Sequence, residues 1–156
     1  MSKQSSESKQ KKYFSNKVQC SDGYKFDSDK EHGFYHDYIK HCGYKFEVHP
    51  TINLLPKFAV GGMNMGGMSY TPDFIVYGIM GELKHVYDVK TSINPKGTDT
   101  AAKQRFKRFA FENNMPVEVV VPRTHDFKMT ILGLTKSFEP QIFTNVDYDI
   151  HDYIGQ

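Results

Sequence analysis

Residues 70–92, YTPDFIVYGIMGELKHVYDVKTS, decide how this chain is read. An apolar run, a glycine-punctuated break and a second strand-like run form the pattern of a β-hairpin, with GIMGELK making the turn. Each run carries an acid where a buried strand would normally avoid one: Asp73 directly after Pro72, and Asp88 two residues before Lys90. Side chains alternate faces along a strand, so Asp88 and Lys90 point the same way and Val89 turns into the opposite layer. Antiparallel pairing across the turn brings Asp73 near Asp88 at one end of the sheet. Two carboxylates so placed repel each other and resist desolvation unless a cation neutralises them.

A hard divalent ion such as Mg²⁺, held by Asp73, Asp88, the backbone carbonyl of Val89 and waters, resolves that conflict, with Mn²⁺ as the alternative metal. Lys90 beside it can hold an attacking water or stabilise charge on a phosphorane-like transition state. Metal-activated water and a positioned lysine suit phosphodiester hydrolysis. A plainer reading stands beside this one. An Asp after Pro is common in turns, and an Asp and a Lys two apart on an edge strand also make a surface ion pair. Spacing alone leaves both open.

Upstream, YKFDSDKEHGFYHDYIKHCG reads as a strand leading into a helix. Asp27 or Ser28 serves as N-cap with Glu31 in the first turn, and Phe34, Tyr35, Tyr38 and Ile39 recur at helical spacing toward the core. Cys42-Gly43 closes that helix. YKFEVHPTINLLP alternates like a strand, interrupted by Pro50 and Pro56. The glycine/methionine stretch 61–68 reads as a flexible loop or a distorted strand connection. Downstream, INPKGTDT is a loop and AAKQRFKRFAFEN an amphipathic helix, with Ala102, Phe106, Phe109 and Ala110 on one side and Lys103, Lys107 and Arg108 on the other. PVEVVVP is a short buried strand, and KMTILGL suggests another. This order predicts an α/β or α+β sheet domain.

The chain of 156 residues suits one domain. Its net charge of +2 does not announce a nucleic-acid binder, but the charge is unevenly spread. Residues 1–17 hold five lysines against one glutamate, and residues 139–156 hold four acids and no lysine or arginine. The expected organisation is a disordered basic tail at 1–17, a central domain at 18–138 and an acidic, aromatic segment at 139–156. The last reads either as an ordered or frayed terminus, or as a docking or DNA-mimicking peptide. Two cysteines without a CxxC pairing, no apolar signal core and no membrane-length apolar run lead us to expect a reduced, cytoplasmic protein.

TPDF followed by YDVK resembles the P-D…(D/E)-x-K signature of the PD-(D/E)xK nuclease superfamily, carried by Pro72-Asp73 and Asp88-Val89-Lys90. Over residues 18–121 the order is also similar to a group of small phage-type nucleases within it. There a helix with an FDS-x-x-E motif precedes the P-D and D-x-K strands, and a basic helix and a short strand follow. The resemblance implies a restriction-endonuclease-like core, a central mixed β-sheet flanked by helices. It implies Glu31 as the helix glutamate, Asp73 and Asp88 as metal ligands and Lys90 as the catalytic lysine. A Mg²⁺-dependent endonuclease acting on branched or recombination DNA, like a Holliday junction resolvase, follows from it. So do a homodimer, since cutting two strands symmetrically needs two sites, and the cytoplasm of a host cell if phage-encoded. Two departures are the Gly/Met loop and Asp88, where many members carry a longer glutamate. The competing reading is a non-catalytic module of nuclease fold that binds nucleic acid or a host protein.

The remaining conspicuous residues read as supporting ones. His32 and His36 have zinc-compatible spacing, but Gly33 stands where a zincin needs glutamate, so both are expected to be structural or exposed. His49 and His85, the latter in the turn, are expected at the surface. Lys103, Lys107 and Arg108 read as a solvated face or as a grip on DNA phosphates. Gln104 is a candidate near the metal, and Phe111 a candidate for stacking on an unpaired base.

Overall fold

A computed structural model describes residues 17–93 and 98–155. Two short strands, β1 (Val18–Gln19) and β2 (Lys25–Phe26), lead into helix α1 (Asp29–Phe34), which continues as a π-helical turn over Tyr35–Ile39. Then come β3 (Phe46–Val48), β4 (Ile52–Leu55), β5 (Phe58–Val60), β6 (Met63–Met65), β7 (Met68–Tyr70), β8 (Phe74–Tyr77) and β9 (Leu83–Val89). Helix α2 (Thr100–Asn113), β10 (Glu118–Pro122), β11 (Phe127–Thr130), β12 (Gln141–Phe143) and α3 (His151–Ile154) complete the chain.

The protein is α/β, with a six-stranded mixed sheet in the order β12-β11-β10-β9-β8-β3. Only β9 and β10 run parallel within it, joined by the crossover through α2. The other pairs are antiparallel. The expected hairpin is β8–β9, with Phe74 opposite Tyr87, which places Asp73 and Asp88 next along the register. Phe74–Val76 and the central residues of β9 and β10 are buried, as near-continuous apolar runs covered on both faces should be.

Alternation sorts the layers. Phe74 and Tyr87 face α1, where Phe34 lies 5.8 and 5.1 Å away ring to ring. Asp73 and Asp88, one residue along, therefore turn to the opposite face. That face is covered by α2 through Phe106 and Phe109, which pack on Tyr70 of β7. The α1 face is dense in aromatic edge contacts: Phe34 also meets Phe127 at 5.1 Å.

Several expectations need correction. Residues 61–68 are not a loop but hold β6 and the start of β7. β5 and β6 form a hairpin, with Phe58 opposite Met65 and Val60 opposite Met63 around a turn in which Gly61 has φ 59°. A left-handed residue closes so tight a turn at least cost when it is glycine. The first helix is shorter than expected, since α-helical and π-helical residues end at Ile39 and Gly43 (φ 83°) belongs to the turn beyond. Of the two expected N-cap candidates it is Ser28 that caps it, its hydroxyl accepting from the Glu31 N–H at 3.1 Å. For 139–156 the reading as an ordered terminus is the one that fits, and the segment belongs to the domain rather than standing apart from it: β12 edges the main sheet, Val146 and Ile150 are buried, and Tyr148 stacks on Phe143 at 3.6 Å. The expected disordered tail lies outside the described residues apart from Lys17, as do residues 94–97 of the INPKGTDT loop. Cys20 and Cys42 are free thiols. No helix among the described residues is long and apolar enough to cross a membrane.

Candidate active site

The site lies where β8 begins and β9 ends. Asp73 is clamped by backbone bonds to both neighbouring strands: its carbonyl accepts from the His49 N–H and its own N–H donates to the Tyr87 carbonyl, each at 3.0 Å. Its carboxylate reaches across the hairpin, where Oδ2 accepts the Val89 N–H at 2.6 Å. Asp88, next to it in register, is held from two sides. Lys90 Nζ lies 3.0 Å from Oδ1, and the Tyr70 hydroxyl donates to Oδ2 at 3.1 Å. The same-face placement of Asp88 and Lys90 thus takes the form of a direct ion pair.

Glu31 joins them from α1. Its side chain is only 5% exposed, and His49 Nε2 meets its Oε1 in a short hydrogen bond. The other oxygen faces the Asp27 N–H at 3.4 Å. Glu31 therefore does not close a capping box back onto Ser28; its carboxylate turns toward the sheet. The same His49 nitrogen stands 3.9 Å from Asp73 Oδ1, so one imidazole lies between a buried acid, Glu31, and a half-buried one, Asp73. Asp27, Glu31 and His49 offer ligand atoms all within 4.8 Å of one another. His49 also holds φ at 51°, a left-handed backbone that L side chains seldom adopt. Residues in such sparsely populated regions persist where the surroundings over-determine them.

The electrostatics follow from the crowding. Burial, then the charges of Asp88 and Glu31, push the Asp73 carboxyl up to about 8, against the opposing pull of the Val89 N–H and Lys90. Burial also raises Glu31, partly offset by its hydrogen bond to His49. The Tyr70 phenol is raised by burial and by Asp88, so it stays a hydrogen-bond donor. Asp73 therefore favours its protonated form at neutral pH until something positive neutralises the cluster.

On α2 the basic residues divide. Arg108 is committed: its Nε donates to the Leu54 carbonyl at 3.3 Å and its Nη2 pairs with Glu112 at 2.6 Å. Its guanidinium also lies 5.7 Å from the ring of Phe111, which is 79% exposed. Lys107 and Gln104 share that surface, which is a different cleft from the one that Asp88 lines. Lys103 is half-buried. It is Arg105, passed over in the sequence, that faces the site, across a cleft of about 350 Å³ whose lining includes Asp88.

The histidines need the largest correction. His36 is exposed beside Asp37, and His32 stacks on Phe26 at 5.5 Å, as a supporting role requires. His85 is not in the turn but in β9, fully buried. Its Nδ1 meets Glu118 Oε2 at 2.6 Å and its Nε2 meets the Val146 carbonyl at 2.8 Å. Tyr148 donates to the other Glu118 oxygen at 2.5 Å, and its hydroxyl adjoins that of Tyr87 at 2.8 Å. This network fastens the C-terminal segment to β9 and β10, and every polar atom in it is satisfied.

Residues 10–121 match the family described as Protein of unknown function (DUF1064), and the chain belongs to that family. The matched span holds Glu31, His49, Asp73, Asp88, Lys90 and Arg105. No curated protein and no solved structure matches the chain.

Proposed function

We propose that this protein is a Mg²⁺-dependent DNA endonuclease of the PD-(D/E)xK superfamily, of small phage type, with a restriction-endonuclease-like core. Its substrates are branched DNA or recombination and processing intermediates, and Mn²⁺ is an alternative metal. A homodimer would present two sites to two strands.

The crowding at Asp73 carries this conclusion. A carboxyl lifted to about 8 by burial and by two neighbouring carboxylates is a poor structural element and a good cation site. The donors are all oxygen, two carboxylates and the adjoining Val89 backbone carbonyl, which suits a hard divalent cation. Asp73, Asp88 and Val89 would hold the ion, which when bound supplies Lewis acidity and a more acidic water.

The chain's own groups do the rest. Tyr70 holds one Asp88 oxygen in place, the kind of outer hydrogen bond that orients a ligand. Lys90, tethered to the other oxygen, carries its ammonium at the rim of the cluster, where charge builds on a phosphate under attack. Glu31, fixed by His49, adds negative potential that strengthens cation binding.

The test is a panel of labelled branched, duplex and single-stranded DNAs incubated with Mg²⁺, Mn²⁺ or EDTA. Cleavage by the parent in metal, and its loss in a folded Asp88→Ala variant, is the expected outcome. A parent that cuts nothing and takes up no Mg²⁺ by calorimetry would instead mark a non-catalytic module.

A further inference from the structure

The cleft beside Asp88 is lined by Ser69, Tyr70 and Thr71 from one side and by Ala102, Arg105 and Phe106 of α2 from the other. Ala102, Arg105 and Phe106 are three and four residues apart, one face of the helix. Phe106 is buried against Tyr70 at 5.6 Å and so fixes how α2 presents Arg105. Among the described residues, no carboxylate or carbonyl engages the Arg105 guanidinium, whereas Arg108, one turn on, is doubly engaged. Ser69 and Thr71, on either side of Tyr70 in the chain, complete the lining. Ser69 is exposed on β7, and Thr71 makes only a long contact, 3.4 Å, with Thr51.

A guanidinium that no described residue engages, lining a cleft beside a carboxylate, is suited to one chemistry above others, a phosphate with several acceptor oxygens. We infer that this cleft is a phosphate subsite, in which Arg105 seats a backbone phosphodiester of the nucleic acid between residues 69–71 and α2, beside Asp88. The inference rests on the nuclease reading and deepens it, by naming the side chain that positions the strand. Asp88 itself repels a phosphate. Its carboxylate is half-neutralised by Lys90, and a bound divalent cation completes the neutralisation. Phosphate and cation therefore bind with positive coupling, each tightening the other by the same factor.

The experiment uses the full chain and compares the parent with Arg105→Gln and Arg105→Lys. Arg105 is exposed, and glutamine keeps much of its stem, so both variants should fold with an unchanged circular dichroism spectrum. In Arg105→Gln, cleavage should fall at least about tenfold, the scale of one charge-assisted hydrogen bond. The salt slope of DNA affinity should become shallower by about one. Lysine should restore part of the rate, and Mg²⁺ uptake by calorimetry should stay within about twofold, on the scale of a residue that touches no ligand to the metal. A second arm follows inorganic phosphate by NMR. In Mg²⁺ it should shift the amide resonances of Thr71, Ala102 and Arg105 in the parent, and do so less in Arg105→Gln or without metal. If the parent cleaves and Arg105→Gln cleaves at the same rate, the subsite is refuted while the nuclease stands. If the parent cuts no DNA, the nuclease reading fails, and the phosphate titration alone decides the subsite: shifts uphold it, their absence overturns it.

Discussion

Replacing Asp73 with asparagine should make the protein more stable and useless for binding a cation. The Asp73 carboxyl is raised from an ordinary 3.8 to about 8 in the folded chain. Between those values the folded state keeps a proton that the unfolded state has released. Its contribution to stability is fully present below about 3.8 and is lost as pH rises through about 8. At pH 7 the gap corresponds to roughly 4 kcal/mol, at about 1.36 kcal/mol for each unit of pKa. Asparagine cannot ionise, yet its carbonyl can still accept the Val89 N–H. The variant should therefore match the parent near pH 4 and exceed it by roughly 4 kcal/mol at pH 7, or on the order of 10 °C in Tm for a chain of this size. Urea and thermal melts at half-unit steps from pH 4 to 9, in EDTA, measure this directly. Added Mg²⁺ should raise the parent's Tm above pH 7 and leave the variant's unchanged, because only the parent offers a folded-state site. Parallel pH profiles for the two proteins would refute the reasoning, since they would mean that burial and the neighbouring carboxylates do not hold a proton on Asp73.

His49→Ala should cost about 1–3 kcal/mol, because it leaves the buried Glu31 carboxylate without its main partner. His36→Ala, at an exposed position, should stay within about 0.5 kcal/mol, and equal effects of the two in urea melts would contradict the placement of His49. His85→Leu strands Glu118 in the core and should cost on the order of 3–5 kcal/mol, read from the same melts. A loss below about 1 kcal/mol would show that Tyr148 alone satisfies Glu118.

The hairpin and its acids were legible because strand period and turn position are local properties. Pairing across GIMGELK puts Asp73 beside Asp88, and two-residue spacing puts Lys90 on the Asp88 face. The same alternation puts His85 and Tyr87 on the other face, into the core. Extending the turn through His85 hid that, although β9 begins at Leu83. His49 was harder to find, because its place opposite Asp73 depends on the non-local pairing of β3 with β8. A usable clue was present: FEVHP ends a strand at a proline, TPDF begins one after a proline, and two such strands can pair end to end. In the Gly/Met stretch, paired glycines concealed the alternation of Phe58 with Val60 and Met63 with Met65. Arg105 was overlooked because amphipathic sorting assigns a charged residue to solvent, yet it shares the helix face of Ala102 and Phe106. The buried acid Glu118 had no local signal at all, since only the folded neighbours His85 and Tyr148 explain it.

Lys90→Ala separates catalysis from cation binding. Assayed on the best DNA substrate of the panel, the variant should lose nearly all metal-dependent cleavage while still taking up Mg²⁺ by calorimetry, since Asp73, Asp88 and Val89 remain. Undiminished cutting by that variant would contradict the account at its centre.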